Sequence, residues 1–407
     1  MLSIGDRVRA VACSTAACCV VVMCSAGAVA SRPDRGGPVV RLAPGVVYRA
    51  FHLVDGSKPV AGHEVRADLR APGVSVGLLH PGPVAARTTV SAMVNGRAAV
   101  AGVNGDFFDI RSEHPGVVET GSAGGPEVAG GRPRKAAVPD RQRFGPSLPP
   151  GGSARDVFGI GLDGVARLGR LRLDAVLTTG RSRHAVDGLN QYALPENGIG
   201  IFTSLWGAAS RVRATCGSDT RRKAPCAADT ARVWISGGRV TRGPEPLTDD
   251  AIPPGTTELV GRERGARTLR TLTAGGPARL AYRLTGAEPP FAEAVGAYPI
   301  LRDGRKATAL DDEVRAPHTA VGTGPGGHDV LLVVVDGRSE SSGGLTMSGL
   351  ADLMAALGAS DAAALDSGGS SELVTRLPGR PTVTVRNVPS DGRERPVANG
   401  LGIFARS

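Results

Sequence analysis

Aromatic side chains are scarce in this chain: Phe, Tyr and Trp make up 3% of its 407 residues. A protein that holds nucleic acid by base stacking needs such rings interleaved with its cations. The net charge is +10, but the arginines are dispersed and few rings accompany them, so a nucleic-acid partner is not expected. Cysteine is scarce too. Four of the six (Cys13, Cys18, Cys19, Cys24) crowd the N-terminus, leaving only Cys216 and Cys226 beyond it. Two thiols with no histidine nearby do not make a four-ligand zinc site. Long apolar runs are absent after about residue 30, so no membrane span is expected in the remainder.

The N-terminus is the exception. Arg7 and Arg9 precede an apolar run from Val11 to Val22, and Ala28-Val29-Ala30 fits the small-residue cleavage rule. That is the pattern of a secretory signal peptide over residues 1–30. Export to the extracellular space, with no stable membrane insertion after cleavage, is the expected localisation. In such a compartment two cysteines ten apart invite a Cys216–Cys226 disulfide. Arg far outnumbers Lys and Ala is abundant, as in GC-rich bacteria such as actinobacteria. A basic exported chain is suited to anionic polymers or phosphorylated sugars at a cell surface.

What is plentiful is glycine (58) and proline (30), which predicts many turns between short strands. A flexible leader is expected over 31–44 and a single domain over 45–407. Loop insertions are expected at about 111–154, exposed and mobile, and at 211–230, on the surface. The C-terminal ninety residues are clearest. "DVLLVVVDGR" (329–338) predicts a buried strand. "TMSGLADLMAALG" (346–358) places Leu350, Leu353, Met354 and Leu357 on one helix face, with Thr346 to cap the start and Gly358 to end it. "AAALD" (362–366) predicts a second strand, parallel to and beside the first. The fold class is therefore α+β and β-rich, with mixed sheets, Gly/Pro-rich loops and a C-terminal strand–helix–strand unit.

Three apolar runs end alike, in Asn104-Gly105-Asp106, in Asp336-Gly337-Arg338 and in Asp366-Ser367-Gly368-Gly369. Each points a polar group out of a rigid strand, and the glycine lets the chain turn or a ligand approach. They are either three ordinary turns or one cleft at a common sheet edge. The string Asp-Ser-Gly-Gly also surrounds the nucleophile of trypsin-like proteases. None of the seven histidines has the setting that family requires, and Ser367 follows a helix and a short strand rather than a barrel loop. A different serine hydrolase, using Ser367 with His318 as base, stays an alternative.

Four segments in order, "AGVNGDFF" (101–108), "APHTAVG" (316–322), "LVVVDGRSESSGGLTMSGLADLMAALGASDAAALDSGGSSELV" (332–374) and "NVPSDGRERPVANGLGIF" (387–404), resemble the phosphodiester glycosidase family. The resemblance covers most of the chain beyond about residue 45. It implies hydrolysis of the bond between an anomeric carbon and a phosphodiester oxygen, with a carbohydrate or glycopolymer substrate and release of free sugar. The family usually reads Pro-Arg-Thr at Pro317-His318-Thr319, and Asp-Gly-Gly-Gly-Ser at Asp366 to Ser370. An arginine can grip phosphate bidentately, whereas histidine does so less well and only when protonated.

On this reading Asp366 is the leading catalytic carboxylate, with Asp106 and Asp336 as further candidates. Arg338 and Arg395, with the backbone of Gly368, Gly369 and Ser370, are candidates for the phosphate, joined by His318 and Thr319. Asn104, Gly105 and Asn399 are candidates for sugar hydroxyls, and Phe107 or Phe108 for an apolar sugar platform. No cofactor is expected. Asp106, Asp109 and Asp336 offer oxygens a Ca²⁺ could use, without the spacing of a loop site. The alternative of another class is a non-catalytic binder of anionic cell-wall polysaccharide.

Overall fold

The computed structural model describes residues 33–34 and 37–405; the expected signal peptide lies outside them. An eight-stranded antiparallel sheet forms the centre. Its strands run in the order Val40–Ala43, Val46–Asp55, Lys58–Asp68, Asp329–Val335, His318–Thr323, Asp361–Ala364, Tyr298–Arg302 and Arg305–Lys306. The Asp329–Val335 strand is apolar without alternation because both its faces are covered. Val330, Leu332 and Val334 join the core on one side, and Leu331, Val333 and Val335 the core on the other.

The helix Met347–Ala356 closes the second face. Thr346 accepts a hydrogen bond from the Gly349 amide at 3.0 Å, satisfying one of the free donors of the first turn. Leu350, Leu353, Met354 and Leu357 are all buried, and Gly358 follows in the left-handed conformation (φ 96°). The first face packs on a five-stranded sheet built from Ser75–Leu79, Ala101–Asn104, Leu373–Thr375, Thr384–Val385 and Gly400–Phe404. The helix Val90–Gly96 packs on the far side of that sheet, with Val90, Met93 and Val94 against Leu79 and Val374. The layers are thus helix, sheet, sheet, helix.

The strand–helix–strand unit is present, but its strands are not neighbours. His318–Thr323 lies between them, antiparallel to both. The reason is local: that strand turns into Asp329–Val335 through the short Pro325–Gly327 turn and occupies the edge before the helix returns.

The segments expected to be loops also differ. The sheet begins at Val40, inside the expected leader, where a turn at Gly45 (φ 76°) lets Ala43 pair with Val46. Within 111–154, residues 120–128 are all buried and two strands form, Glu127–Ala129 and Arg132–Lys135. Glycines make that burial possible: a side chain at Gly125 would collide with the Gly296 backbone at 2.6 Å. Within 211–230, Arg211 and Cys216 are fully buried. Cys216 and Cys226 are joined by the expected disulfide. The middle of the chain builds three further sheets, one of five strands from Gly188–Leu189, Ile199–Thr203, Thr230–Ser236, Arg239–Glu245 and Thr257–Arg262, another of five that includes Glu127–Ala129 and Arg132–Lys135, and one of three. Among the described residues no helix is long and apolar enough to cross a membrane.

Candidate active site

The Asp361–Ala364 strand delivers Asp366 to one end of the central sheet, and the Ala101–Asn104 strand of the second sheet ends against it. The Asp366 amide donates to the Gly105 carbonyl at 2.7 Å, and the Asn104 side-chain amide donates to the Asp366 carbonyl at 2.7 Å. Asn104 also accepts from the Thr319 hydroxyl (2.6 Å) and the Glu372 amide (3.1 Å). Asn399 accepts from the Asp106 amide and donates to Glu127, each at 2.9 Å. Asn104, Thr319 and Asn399 are fully buried, and these contacts occupy their polar groups. They form the frame that fixes the carboxyls rather than a surface that reads sugar hydroxyls, which corrects the expectation for Asn104 and Asn399. Phe107 and Phe108 are core residues, not an exposed platform.

Asp106 and Asp366 are thereby held as a buried pair. Burial pushes the Asp366 carboxyl up to about 7, and the neighbouring Asp106 adds to the rise, against opposing bonds from Ser370 and Ser367 and the charge of Arg395. Burial likewise raises the Asp106 carboxyl, opposed by Arg143, Lys135 and amide bonds from Gly125 and Phe107. Lys135 is itself fully buried, which pulls its ammonium down to about 8. Arg143, Lys135 and Glu127 all lie in the Gly/Pro-rich run that reads as an exposed loop, so composition hid them.

Two guanidinium groups lie on the turn that follows Asp366. Gly368 has φ 69°, and Arg338 rests against it, 3.1 Å from where a Cβ would stand. At Gly369 a side chain would overlap both Arg395 and Asp391. Arg395 donates to the Ser370 hydroxyl at 3.2 Å and pairs with Asp391 at 2.6 Å. The glycines therefore allow two cations to sit on bare backbone beside a buried carboxyl.

His318 is placed differently from its expected role. It is 4% exposed, and its Nε2 lies 3.0 Å from the Leu345 carbonyl while Nδ1 lies 2.8 Å from the Ser367 hydroxyl. A carbonyl only accepts, so Nε2 carries the proton and Nδ1 accepts from Ser367. Burial, helped by Arg338, pushes the imidazole down to about 4. It is neutral at neutral pH and holds Ser367 instead of a phosphate. A base this weak is also ill-suited to take a proton from Ser367, which weakens the serine hydrolase alternative despite the contact.

Asp336 ends its strand at the same sheet edge but turns away from the pair. One oxygen accepts from the Val388 amide at 2.9 Å and the other lies 3.7 Å from His63. Asp109 is taken up by Thr120 and by Arg213 at 3.4 Å. The three carboxylates considered for Ca²⁺ are thus committed to separate partners. Among the described residues no group of three His, Cys, Asp or Glu side chains is placed to hold a metal.

Residues 229–404, which include His318, Arg338, Asp366 and Arg395, match the phosphodiester glycosidase family. That match covers a little under half of the chain. The match begins after Asn104 and Asp106, which the fold brings to the family segment. No curated protein matches the chain. Among solved structures, a hypothetical protein from Synechocystis aligns over 89% of this chain and 62% of its own, at 19% identity and TM-score 0.66. A candidate exported protein from Burkholderia pseudomallei aligns over 86% and 75%, at 22% identity and TM-score 0.65. The catalytic domain of zebrafish N-acetylglucosamine-1-phosphodiester alpha-N-acetylglucosaminidase aligns over 91% and 87%, at 17% identity and TM-score 0.44. The chain spans less than two thirds of the Synechocystis protein, and the first two likenesses show a shared fold.

Proposed function

We propose that the protein hydrolyses a sugar-1-phosphodiester, splitting the bond from the anomeric carbon to the phosphodiester oxygen. Water adds to the carbon, free sugar is released, and the phosphate leaves as a monoester. The observation that carries this reading is the buried Asp366 carboxyl, raised to about 7, beneath a glycine turn flanked by Arg338 and Arg395.

The chemistry matches these parts. A phosphate monoester has a second pKa of about 6, so the leaving group needs little protonation. It needs donors and positive charge as negative charge gathers on it, which Arg338 and Arg395 supply. The ionised Asp366 faces the carbon, where it stabilises developing positive charge or activates water. Burial, with a smaller contribution from Asp106, keeps the Asp366 pKa near neutrality, so the group exchanges protons at working pH. Export is part of the proposal: the Cys216–Cys226 bridge suits an oxidising compartment, and the N-terminal sequence suits secretion. The substrate is then a surface or extracellular glycoconjugate.

The test is release of free sugar from an N-acetylglucosamine-1-phosphodiester by wild type, Asp366→Asn and Ser367→Ala. Release by wild type and Ser367→Ala but not by Asp366→Asn is expected. Undiminished release by Asp366→Asn would remove that carboxyl from the mechanism. No release by any of the three, across a panel of sugars, would favour the glycan-binding alternative.

A further inference from the structure

Two cavities share part of their lining, and Arg143 links the first of them to Asp106 of the carboxyl pair. The first, about 350 Å³, is lined by Arg141, Arg143 and Arg222. Arg143 connects it to the site: its guanidinium lies 4.6 Å from the Phe107 ring and opposes the rise in the Asp106 pKa. One of its terminal nitrogens is buried with no protein partner. The second cavity, about 960 Å³, shares Pro149 and Gly152 with the first and is lined by Arg170, Arg302, Arg305 and Lys306. Cations outnumber the carboxylates Asp140, Asp156 and Asp303 along the two.

Part of this charge serves the fold. Arg222 is paired with Glu113, Arg170 with Asp156 and Lys306 with Asp352. Arg302 and Arg305 are different. Both are exposed, and among the described residues neither has an ion-pair partner. They face each other directly across the hairpin that Asp303 and Gly304 close, both turn residues having positive φ (50° and 70°). Like charges directly opposed on paired strands are destabilising. A rigid hairpin that sets two unpaired arginines side by side at a groove is suited to an anion with spaced charges. No aromatic side chain lines either cavity, so the walls lack the stacking surface a nucleic acid uses.

We propose that the two cavities form one track that holds the anionic repeats of a phosphodiester-linked glycan polymer beyond the unit being cleaved. This rests on the hydrolase reading above and names its substrate class: a polymer with repeating sugar phosphates, gripped at several of them.

The test uses the full-length Asp366→Asn protein, which leaves the probe intact, with and without Arg302→Ala/Arg305→Ala. The probes are a hexamer of N-acetylglucosamine 1-phosphate and a single-repeat diester. The hexamer binds about 10-fold tighter than the single repeat. The double variant loses about that factor on the hexamer, has a shallower salt dependence, and leaves single-repeat binding unchanged. It unfolds no earlier than its parent, because a repulsion has been removed. Equal affinity for both probes, or a loss shared by both, would overturn the track. So would equal binding of a single-stranded oligonucleotide of matched charge. Sugar release from the single repeat by wild type is measured separately. Release without hexamer preference sinks the track and leaves the hydrolase; preference without release does the reverse.

Discussion

Asp336 and Asp366 end two strands that run the same way in one sheet, a single strand apart, and glycine follows each closely. They look alike in sequence and differ in space. Asp336 finds a backbone amide and a histidine, an ordinary carboxylate's company. Asp366 is boxed in by a second sheet, with another carboxyl as neighbour. The strand end presents an acid, and what packs against that end decides whether the acid is structural or chemical.

Substitution should separate the two most sharply in turnover. Asp366→Asn is expected to lower kcat on the sugar-1-phosphodiester by ~10³-fold, the middle of the range for a proton-transfer group, while Asp336→Asn changes it by less than about 10-fold. Equal losses would erase the distinction. Stability should show the opposite order. Asp336→Ala strips the acceptor from the Val388 amide and is expected to cost about 0.5–1.5 kcal/mol, read as a shift in denaturation midpoint at constant slope.

The pH dependence refines the contrast. The Asp366 pKa is about 7 against an ordinary 3.8, so the folded protein binds that proton more tightly than the unfolded chain does. Its contribution favours folding most below about pH 4. It declines as pH rises from there to about 7, and is level above. Asp366→Asn removes this decline, which comparison of unfolding free energies across the window will detect. Smallest is the effect of Ser367→Ala. Because a neutral His318 merely holds the hydroxyl, turnover is expected within about 5-fold of wild type, and a fluorophosphonate should leave Ser367 unlabelled. Labelling at that serine would revive the serine hydrolase alternative.

The sequence made local features plain. The apolar run at 329–335, the capped helix after Thr346 and the Cys216–Cys226 bridge depend on neighbours along the chain. The insertion of His318–Thr323 between two strands depends on a competition among distant pairings, which periodicity does not register. The site divides in the same way. Asp106 and Asp366 were visible because each is an acid near glycine at the end of an apolar run, in a segment that resembles a known family. The commitment of Asn104 and Asn399 to the frame was not visible, since an amide reads alike whether it binds a ligand or a backbone. Arg143 and Lys135 were concealed by glycines that signalled a loose loop and in fact permit close packing, as at Gly125 against Gly296.

The bonds between Asp366 and the Asn104–Gly105 strand end have a mechanical meaning. They are a weld between two layers otherwise joined mainly by interdigitated side chains, and the Asp366 carboxyl sits on the seam. A fluctuation that slides one sheet past the other must break the weld, so the carboxyl cannot drift while the layers stay docked. The Asp366 amide is then expected to exchange its hydrogen for deuterium at the pace of whole-domain opening, not of loop motion.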